Sequence, residues 1–277
     1  DYSKSIKKGN PVLAFKLFSR KMRNSDTLEK GQEWKGESVE ENLASCEYEG
    51  CGRVFENYFP KEGWVLEAGC GLGRWVLDFS RRGYKIIGCE IDHQAVKKAK
   101  RFDPSASFIT ADIRSMPFKN EIFDAILSLG VIEHFKGGPQ KVLEEKKRIL
   151  KPEGILLVAV PYNNLFRKVL VNRFISLKVL IMKALKYNVV FTEYRYSKKE
   201  LMDLLESSGF EILSCYPEML LPPKHVGAYV DYIHLTGRIP ENKFDVPKPM
   251  RVLTSLMKSI SPWLISGMVL CAARKKT

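Results

Sequence analysis

The 277-residue sequence predicts an α/β fold: a doubly wound, mostly parallel seven-stranded sheet with an antiparallel edge strand and helical inserts. Three observations predict it. Short apolar runs alternate with helix-like segments from Trp64 to Val160. The first of these runs delivers the chain into a glycine loop, Gly69-Cys-Gly-Leu-Gly73, followed by a helical pattern. Two further apolar runs after Gly209 fit an antiparallel pair at one edge of the sheet.

Residues 1–40 are polar and basic apart from Val12–Phe18 and read as an N-terminal arm. Residues 41–277 read as one domain with a lid-like insert at 163–196 and a second insert at 217–262. From Glu41 to Tyr58 apolar residues recur at helical spacing and predict a single helix. Trp64–Ala68 is a strand, and the helix after the glycine loop runs through Arg82 to Gly83. Lys85–Glu90 is the second strand, and Asp92 can cap a helix reaching Lys100. Ser107–Thr110 and Phe123–Leu129 are the next strands, and Pro139 opens a helix ending near Leu150. Gly154–Val160 is apolar throughout, as a strand covered by helices on both faces should be. Ser197 and Glu200 form a capping box for a helix that Gly209 stops, and Phe210–Tyr216 is a sixth strand. A Pro-rich excursion, Pro217–Pro262, holds one amphipathic helix (Val252, Leu253, Leu256, Met257, Ile260) before the final strand, Gly267–Arg274.

Hydrophobic content of 45% and charged content of 28% are those of a globular protein and exclude a disordered or fibrous chain. The net charge of +13 favours contact with nucleic acid, a membrane surface or an acidic substrate, or else marks a solvated basic face. Cys70, Cys89, Cys215 and Cys271 sit in apolar or strand-flanking runs and read as free thiols in a reducing compartment. Cys46 and Cys51 lack a matching second pair, and His225 and His234 lack a nearby cysteine pair, so no metal is expected. No signal peptide is visible, nor a run of about 18 uncharged apolar residues. The expected location is the cytoplasm, with peripheral membrane contact as a further option.

In an open α/β sheet, ligands bind beyond the carboxyl ends of the strands. That rule selects the glycine loop, where a backbone without side chains admits a ligand and a helix N-terminus favours an anionic group. It also selects Glu90, whose carboxylate can accept from ribose hydroxyls, and Asp112 with Ile113, which suit an adenine amine and ring. A dinucleotide fingerprint would require a third glycine at residue 74 or 76, where Arg74 and Val76 stand.

The stretch Val65-Leu-Glu-Ala-Gly-Cys-Gly-Leu-Gly-Arg74 resembles the first motif of class I S-adenosylmethionine (SAM)-dependent methyltransferases. Ile87–Asp92, Ala111–Phe118, Phe123–Phe135 and Ile149–Ile155 resemble later motifs of that family in the same order. The resemblance implies a Rossmann-like methyltransferase fold and SAM as cofactor. It implies that Glu67, Gly69, Cys70, Gly71 and Gly73 hold the methionine end and that Glu90 and Ile91 serve the ribose side. Asp112 and Ile113 would meet the adenine, and Ser128 and Leu129 the sulfonium side.

Methyl transfer is an in-line displacement in which alignment and water exclusion do most of the work. A base is needed only when the acceptor carries a proton to lose. His134, just beyond the fourth strand, is read either as that base or as a packing residue at a helix start, with Glu133 beside it. The upstream position that would complete a metal-binding pair is Gly130. Tyr162 and Tyr194 are read either as lining the acceptor pocket or as core. Between Asn163 and Val190 stand six basic residues and no acidic one. Phe166, Leu170, Phe174, Leu177, Ile181 and Ala184 share a helical stripe, with Arg167 and Arg173 at its edges. Such a helix suits an anionic membrane surface or a lid over the acceptor pocket. The expected acceptor is therefore small or lipid-like. RNA methylation is the competing class, on the strength of the charge, and a SAM-binding regulator without catalysis is the third. Oligomeric state is not legible in the residues.

Overall fold

The computed structural model describes residues 12–17, 34, 36–48, 50–165, 167–186, 189–218 and 248–277. Phe166, His225, His234 and most of the Pro-rich excursion lie outside the described residues, as does the rest of the predicted arm. In chain order the first elements are β1 (Val12–Leu17), α1 (Val39–Ala44), α2 (Cys51–Tyr58), β2 (Trp64–Ala68) and α3 (Arg74–Arg81). β3 (Lys85–Glu90), α4 (His93–Phe102), β4 (Ser107–Thr110), β5 (Phe123–Leu129) and α5 (Gln140–Ile149) follow. The chain continues through β6 (Leu150–Pro161), α6 (Asn172–Ala184), β7 (Val189–Arg195) and α7 (Lys198–Ser207). β8 (Phe210–Glu218), α8 (Lys248–Ile260) and β9 (Met268–Lys275) complete it.

Seven strands form one sheet in the order β4-β3-β2-β5-β6-β9-β8. β4, β3, β2, β5 and β6 are parallel, and β9 pairs antiparallel with both β6 and β8. The α/β sheet with an antiparallel edge pair is thus the one the sequence predicts. The predicted caps are present: Asp92 accepts from Gln94 N at 2.8 Å, and Ser197 and Glu200 exchange bonds as a capping box. Gly83 and Gly209, both at positive φ, follow the helices they were expected to stop.

Each face of the sheet is covered by its own apolar layer. On one side Phe55, Phe59, Trp75 and Phe79 interlock, Phe55 against Trp75 edge-on with ring centroids 5.0 Å apart. On the other, Ile126, Leu156 and Val158 pack against Leu201, Leu205 and Phe210. A fully buried side chain of this size contributes about 1.5–3 kcal/mol, so these layers fix the sheet. At the amino edge, Asp124 accepts from Trp64 N at 2.9 Å and pairs with Lys151 at 2.8 Å, tying β2, β5 and β6 together.

Three expectations are corrected. The single helix over 41–58 is two, α1 and α2, separated by a 3-10 turn at Ser45–Tyr48. Gly50, a weak helix former, stands at the start of α2, and Gly52 inside it lets the Trp75 ring approach the backbone. Cys215 and Cys271 are not free thiols: they face each other in the β8–β9 register and form a disulfide. Within the predicted arm, β1 pairs antiparallel with β7 as a separate two-stranded ribbon. Arg167, placed at the edge of an exposed stripe, is buried and donates to the carbonyls of Tyr162 (2.6 Å) and Gly267 (3.0 Å).

Candidate active site

Because β2 is buried on both sides and its carboxyl end opens into glycines, the chain can turn tightly there without clashing. Gly69, Gly71 and Gly73 all hold positive φ (87°, 56° and 74°), a conformation that disfavours other residues. A methyl group at residue 69 would strike Val131, and one at residue 73 would strike Phe108. The Gly69 and Cys70 amides donate to the Cys89 carbonyl, so the loop is anchored on β3. Cys70 is buried beneath it.

Gly73 offers no side chain to cap α3, and Glu67 takes that part from the strand below. Its carboxyl accepts from Val76 N at 3.2 Å, in the first turn of α3. Helix-end amides favour a negative charge there, yet burial dominates and pushes the Glu67 carboxyl up to about 8. Arg74 nearby pulls it down and Glu90 pulls it up, both more weakly.

Glu90, at the end of β3, is the acceptor around which the site is strung. One carboxylate oxygen accepts from Gly71 N at 2.9 Å and the other from Ile91 N at 2.8 Å and Asp92 N at 3.0 Å. Beside it Ile91 is a large apolar side chain left exposed in a well-packed region. Beyond β4, Asp112 holds an Asx turn to Arg114 N at 3.0 Å and a two-oxygen pair with the Arg114 guanidinium. Ile113 is buried next to it. This segment is locked onto α5: Met116 N donates to Glu145 at 2.6 Å, and Arg148 donates to the carbonyls of Phe118 (2.8 Å) and Met116 (3.2 Å).

At the end of β5, Ser128 is buried and its Oγ has no hydrogen-bond partner among the described residues. Leu129 is half-buried. His134 closes a 3-10 turn, Ile132–His134, with its side chain 45% exposed and Nε2 4.0 Å from the buried Glu133 carboxylate. Tyr162 follows β6, half-buried, its ring edge-on to Trp263 with centroids 5.3 Å apart. Burial raises its phenol above the usual range. Tyr194 donates to the Lys136 carbonyl at 2.8 Å and so ties the β7 ribbon to the loop after His134.

The carboxyl edge therefore gathers Glu67, Gly69–Gly73, Glu90, Ile91, Asp112, Ile113, Ser128 and Leu129 along four neighbouring strands, β4, β3, β2 and β5. His134 stands beyond β5 and Tyr162 beyond β6. Sequence reasoning missed Trp34, whose indole lies directly against Gly71 of the loop. Lys98 Nζ holds the approach by donating to the carbonyls of Trp34 (2.9 Å) and Glu37 (3.4 Å). Nothing in the local pattern around Trp34 signals that contact. Among the described residues, no three His, Cys, Asp or Glu side chains cluster as a metal-holding group.

Comparison with known proteins gives a consistent result. The family model described as "Methyltransferase domain" matches residues 66–158. A tRNA (carboxymethyluridine(34)-5-O)-methyltransferase of Arabidopsis thaliana is 32% identical over 109 residues, 39% of this chain and 26% of that protein. A demethylmenaquinone methyltransferase of Paenarthrobacter aurescens is 32% identical over 96 residues, 34% of this chain and 37% of that protein. The chain thus spans well under half the length of these curated relatives. A solved SAM-dependent methyltransferase structure from Methanosarcina mazei superposes with TM-score 0.54 at 16% identity, covering 80% of this chain and 97% of that one, and shows the same fold.

Proposed function

We propose, from the match of residues 66–158 to the methyltransferase-domain model, that the chain transfers a methyl group from SAM to a small or amphiphilic acceptor. The observation that carries this reading is the convergence of Glu67, the left-handed glycine turn, Glu90 and the unpartnered Ser128 Oγ on one edge of the sheet.

These residues fit the cofactor's chemistry. A buried carboxyl at Glu67 suits a cationic amino group, the Glu90 carboxylate suits paired hydroxyls, and Ile91 and Ile113 suit an aromatic base. Ser128 Oγ supplies a polar contact at the end of β5. SAM, when bound, supplies a methyl group on a positively charged sulfur, a leaving group that needs no protonation. The protein's task is to hold the acceptor in line and keep water out. Where the acceptor carries a proton, His134 Nε2 is the group to receive it, with the Glu133 carboxylate favouring the resulting imidazolium. Tyr162 and Tyr194 then line the acceptor side.

RNA is the second reading, supported by the tRNA-modifying relative and the basic charge. Favouring the amphiphile, one relative is named for demethylmenaquinone, and the elements beyond β6 expose large apolar side chains. Calorimetric titration with SAM tests the cofactor, and methyl-labelled SAM added to separate lipid, aqueous and RNA fractions tests the acceptor. Label confined to RNA would overturn the amphiphile reading, and an absence of SAM binding would overturn the whole.

Glu67 makes the cofactor step pH-dependent. In the free protein its carboxyl is mostly protonated below about 8. A cation placed beside it favours the carboxylate, so binding releases a proton and tightens as pH rises toward 8. SAM affinity should gain up to about tenfold per pH unit below 8 and level off above it. Glu67→Gln should flatten that slope, as read by titrations across pH. An unchanged slope in the variant would assign the proton to another group.

A further inference from the structure

We propose that helices α6 and α8, inserted after β6 and before β9, dock on an anionic lipid bilayer and present the active-site edge to it, an inference resting on the amphiphilic-acceptor reading above. Residues 163–192 and 246–266, fewer than a fifth of the chain, hold nine Lys or Arg and no Asp or Glu. They supply nine of the thirteen net positive charges. Ten of the twelve exposed large hydrophobic side chains among the described residues lie in the same two segments. Leu177, Leu180 and Ile181 of α6 and Val252, Leu256 and Ile260 of α8 are each at least half exposed.

Both segments spring from one place. Pro161 pairs with Met268, and Tyr162 N and the Arg167 guanidinium both donate to the Gly267 carbonyl. This is the carboxyl edge of the parallel strands, the edge that carries the glycine loop and Glu90. No described residue of α6 is fully buried.

The charge selects the occupant. Apolar groups in such number on an exposed surface mark an interaction site, and two segments with basic residues and no acidic one repel a second copy of themselves. Polynucleotide would satisfy the lysines but leave the Leu, Ile and Val side chains in water, since base stacking needs aromatic platforms. A bilayer with acidic headgroups satisfies both: aliphatic side chains enter the acyl boundary while Lys168, Arg173, Lys178, Lys183 and Lys186 stay among the phosphates.

The test is co-sedimentation of the whole protein with phosphatidylcholine vesicles and with vesicles also containing phosphatidylglycerol, at low and high salt. Binding should require the anionic lipid and weaken as salt rises. The triple variant Lys178→Gln/Lys183→Gln/Lys186→Gln should lose about fivefold per lysine, on the order of 100-fold in all. Leu177→Asp/Ile181→Asp should abolish sedimentation while SAM titration in solution stays unchanged, which separates this proposal from the cofactor reading. Equal binding to both vesicle types, no binding to either, or a salt-sensitive shift with transfer RNA in place of lipid would overturn it.

Discussion

Glu90→Ala is expected to weaken SAM binding by at least about 100-fold and to lower stability by roughly 2–3 kcal/mol. The carboxylate accepts from the amides of Gly71, Ile91 and Asp92. Alanine leaves these donors without their acceptor, and unmet buried donors cost about 1–3 kcal/mol each before relaxation. It also removes the acceptor proposed for the ribose, so binding falls for two separate reasons. Glu90→Gln separates them: its single carbonyl oxygen can keep part of the amide network but forfeits the charge, and a loss nearer tenfold is expected. Calorimetric titration and denaturant unfolding read the two effects. An alanine variant that binds within about threefold of the parent would move the ribose site elsewhere.

Lys146→Met should act in the opposite direction and stabilise the fold, on the order of 2–4 kcal/mol near neutral pH. Lys146 is fully buried on α5, and its Nζ has no hydrogen-bond partner among the described residues. Burial brings the amine down to about 7, against small upward pulls from Cys89 and Glu145. As pH falls from about 10.5, the unfolded chain takes up a proton that the folded chain refuses until about 7. Stability is therefore lost progressively as pH falls through that window, and the loss is complete below it. Methionine fills similar space without a charge to desolvate. The gain should be largest at neutral pH and nearly vanish at about pH 10, as unfolding curves at the two values will show. An equal gain at both would mean that the amine is not the cause.

Lys146 also shows where the residues stop being readable. In the sequence it stands in a basic run, Lys146-Lys147-Arg148, and only packing distinguishes the buried member from its neighbours. What was legible is local. The buried strands of the parallel sheet leave unbroken apolar runs, and caps such as Asp92 and the Ser197–Glu200 box are set within three residues. Glu90 and Asp112 were singled out because a parallel sheet brings the residues after each strand to a common edge, and Glu67 through the family resemblance. What was not legible is long-range. Cys215 meets Cys271 across 56 residues, and Trp34 reaches Gly71 through the path of a segment without a periodic pattern.

The ribbon of β1 and β7 carries a consequence for the life history of the chain. β1 is made before its partner, which is synthesised some 170 residues later, after β6 is complete. Closing so long a loop costs entropy that a two-stranded ribbon repays poorly. The sheet from β2 to β6 can form on local contacts while β1 waits, so the ribbon joins a core already built. By the same reasoning it is the first part to open, and the N-terminal strand is released from its partner well before the sheet melts. The segment between β6 and β7 thus has two tethers of unequal strength: the inner one is buried at Arg167, and the outer one is the pairing with β1.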